Sequence, residues 1–143
     1  MTIPQISVFL ENKAGQLADI TGILSENRVN MRAINIAETA DYGVLRLIVD
    51  DASKASAILL EQGFILTMTP VVGVAVPDTP GGLSKVLGVI SAADIDVEYM
   101  YSVFGQKDEQ ACMIFRVADT DGLAAVLDQN GIGTIAGEDL GLH

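Results

Sequence analysis

The sequence predicts an α+β protein built from two copies of one βαββαβ module. Three observations predict it. Period-2 apolar alternation and helical i, i+3, i+4 spacing follow one another as strand, helix, strand, strand, helix, strand. That order occurs twice. The copies also align: a shift of 66 residues lays Gly15 on Gly81, Leu17 on Leu83, Gly22 on Gly88 and Ser25 on Ser91. After a two-residue insertion, a shift of 68 lays Val49 on Val117, Asp51 on Asp119, Ala57 on Ala125, Leu59 on Leu127 and Gly63 on Gly131. The expected domains are 1–70 and 71–143, one module each.

In the first module Ile6, Val8 and Leu10 alternate with Gln5, Ser7 and Phe9, which is a strand. Leu17, Ile20, Ile23 and Leu24 share one face of a helix that ends near Asn27. Residues 30–38 are extended, 40–43 form a turn with Asp41 and Gly43, and 44–49 form a third strand. Asp51 suits the N-cap of a second helix with Ala55, Ile58 and Leu59 inward, and Gly63 supplies a left-handed stop. Residues 64–68 make the fourth strand, which Pro70 is expected to close.

The second module repeats this. Residues 71–76 form a strand, and Leu83, Val86, Leu87 and Ile90 mark a helix. Residues 96–104 form a strand, 105–109 a longer turn holding the insertion, and 111–117 a strand. Leu123, Val126 and Leu127 mark a helix that stops at Gly131, and 132–136 form a short last strand. The acidic tail 137–143 is expected to fray.

A βαββαβ module folds as a four-stranded antiparallel sheet with two helices on one face, the ferredoxin-like plan. The other face is bare. Phe9 belongs to it in module one, and the alternation Val97, Tyr99, Tyr101, Val103 makes it apolar in module two. Bare apolar faces seek partners, so the modules are expected to pack on each other and the chain to form a homodimer.

Composition removes several functional classes. The chain has 143 residues, 50% of them hydrophobic, with no Trp and one Cys. Its mean hydropathy is +0.41. The strongest apolar run, 71–76, stops at Pro77, far short of the ~18 residues of a spanning helix. No membrane partner is expected. The N-terminus lacks a basic region and an h-region, so a cytoplasmic location is expected. Nineteen acidic residues face 8 basic ones, for a net charge of −11. Such a chain repels a nucleic-acid backbone. Cys112 alone permits neither an internal disulfide nor a CxxC site, and its alternating surroundings place it in a strand as a small hydrophobe. The one histidine is the last residue, His143. No nucleophile–base pair is visible, so no catalytic residue, metal site or cofactor is assigned. An acylphosphatase-like activity needs an arginine in a phosphate-cradling loop, and neither loop has one.

Chemistry concentrates instead in the loop that joins the first strand to the first helix. Asn12, Lys13, Ala14, Gly15, Gln16 and Leu17 form it, and Asp78, Thr79, Pro80, Gly81, Gly82 and Leu83 repeat it. A helix start offers unpaired N–H groups and a positive dipole end, which suit a carboxylate. Glycine lets a ligand approach the backbone, and Pro80 stiffens its turn. Asn12 can donate and accept, and Asn30, followed by Met31, is expected beside this loop at the start of the second strand. Two asparagines and a ring of amides suit a zwitterion. Each residue also has a bland role. The glycines serve a tight turn whether or not anything binds, Asn12 can cap the helix, and Asn30 can be a turn residue. Asp78 and Asp96 can be solvated or capping carboxylates. Arg32, Arg46 and Arg116 read as surface charges at strand positions.

The two segments ENKAGQLADITGILSENRVNM and PDTPGGLSKVLGVISAADIDV resemble the opening of ACT domains. The resemblance covers both repeats. ACT domains typically sit in enzymes of amino-acid metabolism, bind a free amino acid at an interface between domains, and alter activity. The resemblance implies a non-catalytic, stand-alone tandem ACT protein whose target, an amino-acid-metabolism enzyme, is a separate chain. It implies ligand asparagines at Asn12 and Asn30 and carboxylate-facing amides around 14–17. In the second repeat the asparagine positions carry Asp78 and Asp96, which cannot donate to a ligand carboxylate but can hold its ammonium group, so that site is expected to be weaker, differently oriented or purely structural. Ala14 departs from the usual proline. The alternative is a ligand-free regulatory subunit that assembles on a partner enzyme through its sheet faces.

Overall fold

The computed structural model describes residues 2–11, 15–38, 41–107 and 110–142. The elements are β1 (Ile3–Glu11), α1 (Gln16–Glu26), β2 (Met31–Glu38), β3 (Tyr42–Val49), α2 (Ala52–Glu61), β4 (Ile65–Pro77), α3 (Gly82–Ala92), β5 (Tyr99–Lys107), β6 (Gln110–Arg116), α4 (Thr120–Gln129), β7 (Thr134–Ile135) and a 3-10 helix, Gly137–Leu140. The fold is α+β, with βαββαβ order used twice. The chain divides into two compact units: Pro4–Thr69 with Leu140–His143, and Pro70–Asp139 with Met1–Ile3.

In the N-terminal unit β1 and β2 both pair antiparallel with β3, and β2 pairs with β3 alone among the described strands. Ile6, Val8, Leu10, Leu45, Leu47 and Val49 face the helices and pack on Ile20, Leu24, Ala55 and Leu59. These are the positions that the alternation and the helical spacing select. Leu17 is the exception, at 36% exposure. The opposite sheet face is mixed. Gln5, Ala33 and Ile48 are fully buried on it, while Phe9 and Tyr42 stack at 5.0 Å and stay exposed. Gln5 Nε2 donates to Ser7 Oγ at 3.0 Å, and Ser7 Oγ lies 3.0 Å from Thr69 Oγ1.

The C-terminal unit follows the same rules. β4 and β5 flank β6, and β7 adds to β4. Val72, Val74, Val76, Phe115 and Val117 pack on Val86, Ile90, Leu123 and Leu127. On the other face Val71, Tyr101, Val103 and Ile114 are buried, and Tyr99 stacks on Tyr101.

The repeat extends to backbone detail. Gly15 and Gly81 have φ of 85 and 87, Arg28 and Asp94 both 58, and Gly63 and Gly131 90 and 69. Asp51 accepts from Lys54 N at 3.1 Å, as predicted, and its repeat counterpart Asp119 accepts from Gly122 N at 3.0 Å.

Several expectations are corrected. Pro70 does not close a strand. β4 runs through it, and the β4–β6 ladder begins beyond it, at Val72. Its carbonyl accepts from Arg116 Nη1 at 2.8 Å. Tyr42 and Gly43 belong to β3 rather than a turn, and Ala40 lies outside the described residues. β5 starts at Tyr99, which leaves Asp96 before the strand, and extends to Lys107. The insertion is therefore not a longer turn. It is a register shift between Ser102 and Gln106, where β5 gains residues against Cys112 of β6. The last strand is only Thr134–Ile135. Residues 137–140 form a 3-10 helix rather than fraying: Asp139 Oδ2 accepts from Ala136 N at 3.2 Å and Leu140 is buried. The three strand arginines are half-buried, not surface charges.

Candidate functional site

The glycine loops differ from the chain's other helix starts in how their amides are satisfied. α2 and α4 begin at aspartates whose carboxylates accept a first-turn N–H. α1 and α3 begin at Gly15 and Gly81, with no side-chain cap on either among the described residues. The Gly15 carbonyl accepts from Asp19 N at 2.9 Å, which leaves the N–H groups of Gln16, Leu17 and Ala18 without an intrahelical partner. A Cβ added at Gly15 or Gly81 would meet nothing within 4 Å, so the approach is open. The positive φ alone already calls for glycine at both positions.

In the second loop Gly82 N donates to Thr79 O at 3.0 Å, so that amide is taken. A Cβ on Gly82 would overlap the Pro77 carbonyl oxygen, so loop and helix start are in close contact. Asp78, Thr79 and Pro80 are exposed, and Leu83 is half-buried.

Asn12, Lys13 and Ala14 lie outside the described residues. Gly15, Gln16 and Leu17 stand at the start of α1. Asn30 and Met31 do not lie beside them. Glu11 pairs with Tyr42 at one end of the sheet, whereas Met31 pairs with Val49 at the other. α1, with 11 residues, runs between the two ends and is about 16 Å long. The expected juxtaposition within one module fails for a simple reason. A strand that follows a helix begins at the helix C-terminus, not at its N-terminus. The same reasoning separates Asp96 from Gly81. Asn30 is held by its backbone: its N–H donates to Asp50 Oδ1 at 3.0 Å and its carbonyl accepts from Asp50 N at 3.0 Å. Its exposed carboxamide is therefore free to point elsewhere.

Two buried polar atoms have no hydrogen-bond partner among the described residues: Gln16 Oε1 and Arg32 Nε. One belongs to the loop and the other follows Asn30 and Met31. Arg32 is the extra residue of a bulge, between Met31↔Val49 and Ala33↔Ile48. Periodicity in a single strand carries no signal for a bulge, which is why this residue looked like a surface charge. The other two strand arginines are engaged. Arg46 Nη1 donates to Asn35 Oδ1 at 3.0 Å, and Arg116 Nε lies 3.6 Å from Glu98 Oε2.

A separate open cavity of about 480 Å³ lies along α1 in the N-terminal unit. Asp19, Glu26 and Gly22 line it, so an anion is unwelcome there. Cys112 sits in β6 with its thiol pushed up to about 11 by burial. Among the described residues there is no group of three or more His, Cys, Asp or Glu able to hold a metal. No helix among them is long and apolar enough to cross a membrane.

Comparison with known proteins accords with this geometry. A family described as an ACT domain pair matches residues 1–142. The crystal structure of protein BT0572 from Bacteroides thetaiotaomicron is 40% identical and superposes with a TM-score of 0.91 over 99% of this chain and 96% of that one. The regulatory subunit of aspartate kinase from Thermus thermophilus, in its ligand-free form, is 16% identical with a TM-score of 0.62, covering 88% of this chain and 91% of that one. The corresponding subunit from Thermus flavus is 14% identical with a TM-score of 0.55, covering 88% and 90%. The last two similarities concern the fold alone. No curated protein matches the chain.

Proposed function

The chain belongs to the ACT domain pair family, and on that premise we propose that it is a non-catalytic sensor of a free amino acid. It acts in the cytoplasm as a homodimer and regulates a separate enzyme of amino-acid metabolism. The observation that carries the proposal is the contrast between helix starts: α2 and α4 are capped by aspartate, while α1 and α3 are opened by glycine, with no side-chain cap among the described residues. The ligand carboxylate sits on the amides of Gln16 and Leu17, with Asn12, Lys13 and Ala14 closing the loop. The unpartnered Gln16 Oε1 accepts from the ammonium group.

Asn30 and Met31 join this site from a second copy of the chain. A free amino acid, at ~3.5 Å per residue of backbone, does not span the length of α1. One ligand touches both the loop and Asn30 only if a symmetric partner brings its Asn30 to this loop. Binding then favours one packing of the copies by its differential affinity for that packing. The second loop, Asp78 to Leu83 with Asp96, is the weaker or structural copy, because two aspartates repel a carboxylate. A chain of this fold serves as a regulatory subunit of aspartate kinase in Thermus thermophilus, so the plan accommodates control of another polypeptide.

Isothermal titration against the twenty amino acids, with thermal shift in parallel, tests the proposal. Heat and stabilisation with one ligand or a small group support it; silence with all twenty refutes it. One observation favours the alternative of a ligand-free subunit: the exposed, stacked Phe9 and Tyr42 on the sheet face offer an apolar docking point. A partner enzyme captured equally with and without added amino acids supports that reading.

A further inference from the structure

Gln16 Oε1 and Arg32 Nε are the unsatisfied buried side-chain atoms among the described residues, and each falls in one half of the proposed site. A buried polar group without a partner is costly, and native structures contain few. Gln16 Oε1 is an acceptor and the proposed ammonium satisfies it. Arg32 Nε–H is a donor and a cation. Neither an amide loop nor an α-ammonium satisfies a cation, and the α-carboxylate is already taken by the amides of Gln16 and Leu17.

We propose that Arg32 receives a second carboxylate, so that the amino acid sensed here is dicarboxylic. This inference rests on the amino-acid-sensor reading and names its ligand class. Four observations carry it. The chain holds 19 carboxylate residues against 8 basic ones, yet Arg32 Nε takes none of the described ones. The bulge takes Arg32 out of the β2–β3 pairing, and bulges re-aim side chains at functional positions. β2 pairs with β3 alone among the described strands, so its other edge is open to a ligand or a second copy. Finally, the Asn30 backbone is fully engaged with Asp50, leaving its carboxamide as a second donor two residues from Arg32. A guanidinium beside a carboxamide matches a carboxylate's paired oxygens.

The test compares charge at constant shape. Full-length chain is titrated calorimetrically with L-aspartate, L-asparagine, L-glutamate and L-glutamine, then with the remaining amino acids. An acid is expected to bind at least about tenfold more tightly than its amide, with a preference that shrinks as salt is raised. Arg32→Gln should reduce the acid to the level of its amide and weaken the amide far less, since the amide oxygen loses one neutral hydrogen bond and no ion pair. Arg32→Lys should keep part of the preference through charge alone. Circular dichroism checks that each variant melts like the parent; if Arg32→Gln does not fold, the parent's acid-to-amide ratio decides alone. Equal binding of acid and amide, equal loss of both in Arg32→Gln, or selective binding of a neutral amino acid overturns this inference and leaves the sensor reading standing. Failure of every amino acid to bind removes both.

Discussion

Gly81 and Gly82 are adjacent, and the structure gives them different reasons to be glycine. Gly81 has φ 87 with open space around an added Cβ, so Gly81→Ala suffers only the left-handed backbone. That costs about 1–2 kcal/mol. Gly82 lies inside α3 and is buried, and its added Cβ would overlap the Pro77 carbonyl oxygen and stand 3.1 Å from the Pro77 carbonyl carbon. Gly82→Ala must push backbone from backbone by about 1 Å. Overpacking costs about 1–3 kcal/mol, and disturbing the Gly82 N to Thr79 O bond adds about 1 kcal/mol. Alanine's better helix propensity offsets at most about 1 kcal/mol. Backbone pressed on backbone draws on the upper end of these ranges, so Gly82→Ala is expected to cost about 3 kcal/mol, about 1 kcal/mol or more beyond Gly81→Ala. The chain has no Trp, so urea unfolding is followed by far-ultraviolet circular dichroism, with the m-value checked for constancy. Equal costs within about 0.5 kcal/mol would show that the second loop is not pressed against its helix. Gly15→Ala is the internal control and should match Gly81→Ala.

Removing either aspartate cap, by Asp51→Ala or Asp119→Ala, should cost about 1 kcal/mol in the same urea assay; two unequal losses would contradict the equivalence of the caps. Gln16→Met removes an unsatisfied buried oxygen, so it should leave stability unchanged or raise it by up to about 1–2 kcal/mol. The same variant should weaken amino-acid binding in calorimetry. Asn30→Ala leaves both backbone bonds to Asp50 in place, so its melting temperature should barely move while ligand affinity falls; a large stability loss with unchanged affinity would assign Asn30 to the fold alone. Burial raises the Cys112 thiol from 9.0 to about 11 in the folded state. Between those values the unfolded chain binds fewer protons than the folded one, so stability should fall as pH rises from about 9 to about 11. Cys112→Ala should remove that component, and below pH 8 the thiol should react slowly with iodoacetamide.

Local chemistry made much of this fold legible. Asp51 and Asp119 are short acceptors just before apolar helical spacing, and both cap their helices. Gly63 and Gly131 follow the last periodic residue, and both take positive φ. The doubled loop was readable for the same reason. What was not legible depends on more than one segment. Pro70 stops a strand by local rule, but whether its absent N–H matters depends on where the β6 ladder begins. Asn30 was placed beside the loop by adjacency in sequence, whereas chain direction carries it to the far end of α1. The Arg32 bulge exists only as a relation between two strands. Arg28 and Asp94, both at φ 58, show that a non-glycine residue adopts left-handed backbone at matching places in the repeat, with no composition signal to announce it.

The two copies of the loop share a backbone and differ in charge, and the difference has a direction. Where the first repeat has Asn30 and Arg32, a shift of 66 gives Asp96 and Glu98. Glu98 is already paired with Arg116 at 3.6 Å, and Arg116 also donates to the Pro70 carbonyl. The C-terminal unit therefore neutralises its own cation and exposes Asp96 where a carboxylate ligand would arrive. In the N-terminal unit Arg32 Nε has no partner among the described residues, and Asn30 offers an amide. Gene duplication alone predicts neither pattern, because the helix starts, left-handed turns and caps are alike in both repeats. If the C-terminal unit is scaffold, Asp96→Asn with Glu98→Gln leaves amino-acid affinity unchanged. If it is a second site held closed by charge, the double variant adds a second binding event to the titration, and the one-site reading is wrong.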